Sequence, residues 1–413
     1  MAIDLLKDGG TPLERQRFTW KELAPKPLSK LDDDAFSRIR IILMNGVELD
    51  ALRQQQALLR MNREARQAIA GLMRVEQHQA TAINWMLSAD HSPLETTIAY
   101  EQVAIEVTAS VAQLEPDANM AQGYRFGLLE DFDHLYRYAA LLDRLEGKDA
   151  NTILQGYTDI VPGRPTMAHH RAPEDDLMEP YPSDAPLATK LHALTLVGGE
   201  YQTHDYYMTV GPQFADPVAR QLYAEIASVE SQHITHYGSM LNPEETPLEK
   251  LVLQQAAEVW NYQACAQQEN EPRLRALWER FLDYELGHLQ VAIGLLQDIE
   301  RRDASQVLGD GRTPAGIAFR SQREFVYNLA NLPLARQMVD SSSPVPAGVD
   351  EFEVTGLAKA ACHKVRAPRV AATPAAMECV LETIVDIAPR EPGETHTAIV
   401  IGRAVAAVEA VCG

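Results

Sequence analysis

The sequence predicts an all-α protein of about eight main helices, built as two four-helix repeat units with a small C-terminal region after them. Three observations carry this. Apolar residues recur at spacings of three and four through most of the first 306 residues, the period of one helix face. Helix starts stand where those patterns begin: SPLE at 92–95 and TPLE at 246–249 each offer an N-cap hydroxyl, proline at the first helical position and glutamate at the third. Those two phrases lie 154 residues apart (92 to 246), and the same offset connects much else.

At that offset VEQHQ (75–79) lands on VESQH (229–233), EARQ (64–67) on VARQ (218–221), DFDH (131–134) on ELGH (285–288), and LLDRLEGKDAN (141–151) on LLQDIERRDAS (295–305). NGVE (45–48) meets GGE (198–200) with a two-residue slip. A period this long indicates tandem domains and excludes a solenoid. The repeat units are 1–153 and 154–306. Helices are expected near 34–58, 63–88, 93–114 and 121–147, then near 186–208, 217–241, 247–268 and 272–302. Asp216 before Pro217 is a further cap pair. The stretch 148–185 has five prolines and little periodicity, as a functional segment or a crossover would. Residues 307–349 read as a linking segment, with DSSSPVPAGVD at 340–350. Residues 350–413 read as a small separate region, mostly helical, with no recognisable motif.

The net charge of −21 argues against nucleic acid or an anionic membrane as partner. Cys265, Cys362, Cys379 and Cys412 are scattered without a CxxC, which excludes a zinc ribbon and a Cys-ligated iron site. A cytoplasmic setting is therefore expected. MAIDLLKDGGTPLERQ has no basic stretch leading into an apolar run, so no signal peptide is expected, and no run of apolar residues is long enough for a membrane span.

Several carboxylates sit on the apolar stripes: Glu76 among Leu72 and Ile83, Glu101 between Ile98 and Ile105, Asp131 between Leu128 and Leu135, Glu200 after Leu196, Glu230 between Ile226 and Ile234, and Glu285 between Leu282 and Leu289. A buried, unpaired carboxylate costs several kcal/mol or stays protonated, so a set at one height in a bundle calls for a cation. Glu230–His233 and Glu285–His288 are ExxH pairs, and Asp131–His134 is the aspartate version. At i, i+3 a helix offers both groups to one metal. Roughly one ExxH is expected by chance, so the weight lies in their equivalent repeat positions. Each pair follows a Glu on the preceding helix: Glu48 before Glu76 (with Gln79 in the histidine's place), Glu101 before Asp131, Glu200 before Glu230, Glu258 before Glu285.

Glu101, DFDH (131–134), Glu200 and ESQH (230–233) resemble the ferritin-like di-iron carboxylate superfamily, over about residues 34–302. The resemblance implies two hairpins holding two metals, each with one terminal Glu and one His, and with the ExxH carboxylates bridging. The segment 148–185 would be the family's crossover. Asp131 departs from the usual Glu, and Glu130 beside it lies off the apolar stripe.

Two pairings compete. Either the middle hairpins meet (Glu101, Asp131, His134, Glu200, Glu230, His233), or the second unit forms its own site (Glu200, Glu230, His233, Glu258, Glu285, His288). Glu200, Glu230 and His233 belong to both. A second site from Glu48, Glu76, Glu258, Glu285 and His288 is compatible with the first pairing. His204 and His236 could be ligands, outer partners or partly exposed residues. His169, His170, Asp175 and Asp176 fit a solvated loop better than an entrance. Tyr201, Tyr207 and Tyr237 fit the core better than a redox relay.

The resemblance implies an oxidoreductase with a dinuclear iron (or manganese and iron) cofactor, acting with O2 or peroxide on a small-molecule substrate. A separate reductase would supply electrons, and a homodimer is compatible. The alternatives are a ferroxidase or storage protein, and a metal-free helical scaffold derived from such a bundle.

Overall fold

The computed structural model describes residues 3–31, 33–158 and 176–330, and four strands between 359 and 409. The chain divides into two compact units, Met1–Ala330 and Asn331–Gly413. The segments MAHHRAPED (167–175) and DSSSPVPAGVD (340–350) lie outside the described residues.

The first unit is an all-α bundle. Its elements are α1 (Ala35–Met61), α2 (Arg66–Asn84), α3 (Pro93–Leu114), α4 (Ala118–Glu146), the single turn α5 (Asn151–Leu154), α6 (Leu187–Val210), α7 (Pro217–Ser239), α8 (Pro247–Gln268), α9 (Pro272–Leu295), α10 (Ser305–Leu308) and α11 (Arg323–Ala330). The eight long helices fall where periodicity and caps place them. The Ser92 hydroxyl accepts from the Glu95 N–H at 3.2 Å while the Glu95 carboxylate accepts from the Ser92 N–H at 2.7 Å. Thr246 and Glu249 repeat both bonds at 3.2 and 2.7 Å. The Asp216 side chain caps α7 at Ala219. No described helix is long and apolar enough to cross a membrane.

Consecutive helices form four hairpins: α1/α2, α3/α4, α6/α7 and α8/α9. The first helices of the hairpins, α1, α3, α6 and α8, pack on one another in the middle. On the outside α4 meets α7, and α2 meets α9. The second hairpin thus faces the third, and the first faces the fourth. The packing halves are not the sequence repeats, and the apolar core runs through both as one cluster. A buried ion pair, Arg40 Nε to Glu269 Oε2 at 2.9 Å, ties α1 to the end of α8.

Two segments outside the hairpins close the bundle. The N-terminal arm runs along α9, with Phe18 edge-on to Phe281 and Tyr284. The stretch before α11 lies on α3: Ala318 N–H donates to Ser110 Oγ at 2.9 Å and Gln322 N–H to Glu106 Oε2 at 2.7 Å. Burial pushes the Glu106 carboxyl up to about 7, against the opposing pull of its Thr158 and Gln322 donors. A carboxyl raised on folding stabilises fully below its unfolded value and loses that contribution as pH rises through the folded value. In urea unfolding of metal-free protein, wild type should therefore lose up to about 3 kcal/mol relative to Glu106→Gln between pH 4.5 and 7. Parallel pH profiles for the two proteins would show the Glu106 carboxyl to be ordinary.

The second unit corrects the helical expectation for 350–413. Strands β1 (Lys359–Ala360) and β2 (Arg369–Val370) pair antiparallel, as do β3 (Ala375–Ile387) and β4 (Thr397–Glu409). The register of the long pair runs from Ala375 opposite Glu409 to Ile387 opposite Thr397. Alanine content favours helix, but Val and Ile crowd CVLETIVDI (379–387) and TAIVIGRAV (397–405), and β-branched side chains suit strands.

Candidate metal centres

The facing hairpins α3/α4 and α6/α7 bring Glu101, Asp131, His134, Glu200, Glu230 and His233 together, each 0–3% exposed. Donor atoms of Glu101, His134 and Glu230 lie within 4.8 Å of one another, and so do those of Asp131, Glu200 and His233. The carboxylate of each i, i+3 pair thus reaches across to the other hairpin's glutamate and histidine. Glu230 spans both groups: its Oε1 is 3.0 Å from His134 Nδ1 and its Oε2 is 3.2 Å from His233 Nδ1. The imidazole centroids are 5.9 Å apart.

Among the described residues, no lysine or arginine forms an ion pair with any of the six. Both oxygens of Asp131 and Oε2 of Glu101 are buried without a hydrogen-bond donor. Burial, then repulsion from neighbouring carboxylates, drives Glu101 and Asp131 well above the ordinary carboxylate range. Burial pushes Glu200 to about 7, against the pull of His233. Glu230 goes the other way: burial raises it, but His134 and His233 together outweigh burial and hold it low. His233 is raised despite burial, by its bonds to Glu130, Glu200 and Glu230. Carboxylates that repel one another and lack donors, around two imidazoles with Nδ1 turned inward, are a donor set that could hold a metal pair.

The outer shell was only partly legible. Tyr207 donates its hydroxyl to Glu101 Oε1. Glu130 is buried, contrary to its place off the stripe, because α7 packs on that side of α4. Its Oε2 lies 2.9 Å from His233 Nε2, so the outer ring nitrogen is held by a carboxylate. Metal-bound histidines need such a partner, and that requirement was the available signal. Glu130→Ala is expected to weaken metal binding 10- to 100-fold, by titration, with helix content unchanged (roughly the range for outer-partner losses). An unaltered affinity would make Glu130 a packing residue. Tyr237 sits beside His233, with centroids 6.0 Å apart. His236 is buried, and its Nδ1 meets the Asp176 carbonyl at 3.1 Å. His204 is partly exposed beside Asp205, and Tyr201 lies under Arg53, both away from the six.

A second cluster lies between α1/α2 and α8/α9. Glu48, Glu76, Glu258, Glu285 and His288 are all 0% exposed. Donor atoms of Glu76, Glu285 and His288 lie within 4.8 Å of one another, as do those of Glu48, Glu258 and Glu285. The six-residue site expected from the second repeat unit alone does not assemble: Glu258, Glu285 and His288 join the first hairpin. The short link 242–246 keeps α7 and α8 close in sequence, but their carboxylates turn to different partners.

A narrow crevice of about 20 Å³, bounded by Val103, Ala104, Gly199 and Thr203, reaches Glu200 of the first centre. That is room for one water-sized molecule. Compared with family models, with curated proteins and with solved structures, the chain matches none.

Proposed function

We propose that the first centre holds a dinuclear iron, or manganese and iron, cofactor, and that the chain is an oxidoreductase of the ferritin-like superfamily working with O2 or peroxide on a small molecule. The observation that carries this is Glu230, one buried carboxylate facing two imidazoles, with two further glutamates and a donor-free aspartate completing three donors per position. Mixed oxygen and imidazole donors suit Fe(II) and Mn(II). Glu101, His134 and Glu230 would hold one ion, and Asp131, Glu200 and His233 the other. Bound iron would supply one-electron redox chemistry.

The chain's own residues do the rest. Tyr207 orients Glu101 through its hydroxyl. Glu130 holds the outer nitrogen of His233, which fixes the ring so that Nδ1 faces the cluster. The crevice at Glu200 has room for one water-sized molecule, so a bulky reagent would not reach the cluster from that side. Four buried carboxylates exclude an anionic substrate from direct approach. Electrons would come from a separate reductase, since the sequence holds no CxxC of a cysteine-ligated iron site.

The test is anaerobic addition of Fe(II) to metal-free protein, followed by air. Fe(II) oxidation with matching O2 uptake is expected in wild type and not in His134→Ala/His233→Ala. Absence of Fe(II) binding would overturn the reading. Growth of mineral beyond the bound ions would replace it with a ferroxidase.

A further inference from the structure

We infer that the cluster between α1/α2 and α8/α9 is a second metal site with two unlike positions: one bearing an imidazole, one built of oxygen donors alone. The inference stands apart from the chemistry assigned to the first centre.

The sequence repeat sets up the asymmetry. His134 of the first centre corresponds to His288, but His233 corresponds to Gln79. The first position contains Glu76, Glu285 and His288. His288 Nδ1 lies 3.0 Å from Glu285 Oε2 and 3.6 Å from Glu76 Oε1. Its outer nitrogen is fixed from the N-terminal arm. Gln16 donates its amide to the carbonyls of Thr11 and Tyr284 at 2.8 and 3.0 Å, which leaves Gln16 Oε1 to accept from His288 Nε2 at 2.6 Å. With Nε2 committed as a donor, Nδ1 is the nitrogen that faces the carboxylates and would give its lone pair to an ion.

The second position contains Glu48, Glu258 and Glu285. Glu48 Oε2 and Glu258 Oε1 are buried without a donor, and so is Gln79 Oε1. The Gln79 amide nitrogen reaches Glu285 Oε1 at 2.7 Å and Glu48 Oε1 at 3.3 Å, close to where His233 meets the matching carboxylates of the first centre. Turned over, that amide presents an oxygen to the same place. Glu285 is common to both positions and would bridge them.

A way in exists. A pocket of about 210 Å³ between α1 and α8 has Gln55 at its floor, walled by Leu58, Met61 and Leu251. The Gln55 amide donates to Glu76 Oε2, so one side chain separates the pocket from the cluster. That volume takes several waters, enough for a hydrated divalent ion.

The chemistry of the donors sets the expected selectivity. An imidazole position suits Zn(II) or Fe(II), and an oxygen-only position suits a hard ion such as Mn(II). The test uses Glu230→Ala, which disables the first centre, dialysed against Mn(II) and counted by mass spectrometry. About two Mn(II) per chain are expected. Added Zn(II) should displace one and leave the other visible by electron paramagnetic resonance. Adding Glu285→Gln should remove both. In case Glu230→Ala does not fold, Glu285→Gln alone should lower the wild-type count from about four to about two. Equal metal content with and without Glu285→Gln, in chains of equal helix content, overturns the second site. So does complete exchange for Zn(II), which would make the two positions alike. The first centre fails separately, when wild type and Glu230→Ala bind the same amount.

Discussion

Glu230→Ala should lower bound metal by about two ions per chain while leaving the helix content near that of wild type. The reason is the reach of one side chain. Glu230 contacts His134 through one oxygen and His233 through the other. It therefore contributes to both groups of donors, so no second ion is spared when it is cut back. Asp131 is nearer to one imidazole, at 3.5 Å from His233 Nδ1, and Asp131→Ala should weaken the position with Glu200 more than the position with Glu101. Glu225→Ala is the control: Glu225 pairs with Arg137 outside the cluster, and metal content should not change. Binding must also displace protons, because burial drives Glu101 and Asp131 above the ordinary range and Glu200 to about 7. Metal affinity should fall as pH drops below about 7. Equal metal in wild type and Glu230→Ala, or affinity that rises toward acid, would sink the assignment of this centre.

Six of the carboxylates were legible because each one breaks a rule, and Glu48 and Glu258 only through their spacing ahead of Glu76 and Glu285. Asp131 between Leu128 and Leu135 has no business on an apolar stripe unless something compensates it, and the histidine three residues on supplies a reason. The helices were legible for a similar cause: period and caps agree at Ser92, Asp216 and Thr246, so local and global preferences coincide. The pairing of hairpins was legible only through the connections: the self-match at 154 residues carries no information about which copies pack, but the long segment 148–185 and the short link 242–246 favoured the middle pair that α4 and α7 make. Gln16, Gln55 and Gln255 were missed for a different reason. An amide breaks no rule wherever it stands. Its role emerges only when folding places Gln255 against Glu76 and Glu258, at 3.0 and 2.5 Å, or Gln16 against a histidine 272 positions away. Glu130 misled through its neighbour, since a helix packed on two sides buries residues one step off its main stripe. The C-terminal strands were hidden by alanine, whose helix preference is overridden in a long antiparallel pair.

Gly46→Val should be strongly damaging although it removes no candidate ligand, and it should weaken both clusters at once. A Cβ at Gly46 would lie 2.7 Å from the backbone carbonyl oxygen of Gly198 and 3.2 Å from its carbon. Backbone cannot rotate aside as a side chain can, so α1 and α6 must part. Overpacking of this kind costs about 1–3 kcal/mol, and valine offers little helix propensity in return. The position makes the effect functional as well as structural. Glu48 follows Gly46 by two residues, and Glu200 follows Gly198 by two, so the closest approach of the two central helices sets the height of one carboxylate in each cluster. Asn45 Nδ2 bonds Gln202 Oε1 across the same contact at 2.6 Å and would be pulled from its partner. Gly199→Ala supplies the contrast, since a Cβ there meets nothing within 4 Å. It should be neutral or stabilise by up to about 1 kcal/mol, because alanine is the better helix former. Unfolding curves and metal counts on the two variants separate the effects. A Gly46→Val protein as stable as Gly199→Ala would mean that α1 and α6 do not meet at these glycines. A destabilised Gly46→Val protein that keeps all its metal would mean that the clusters are held from the outer helices, by Glu76, Asp131, Glu230 and Glu285, and that Glu48 and Glu200 are dispensable ligands.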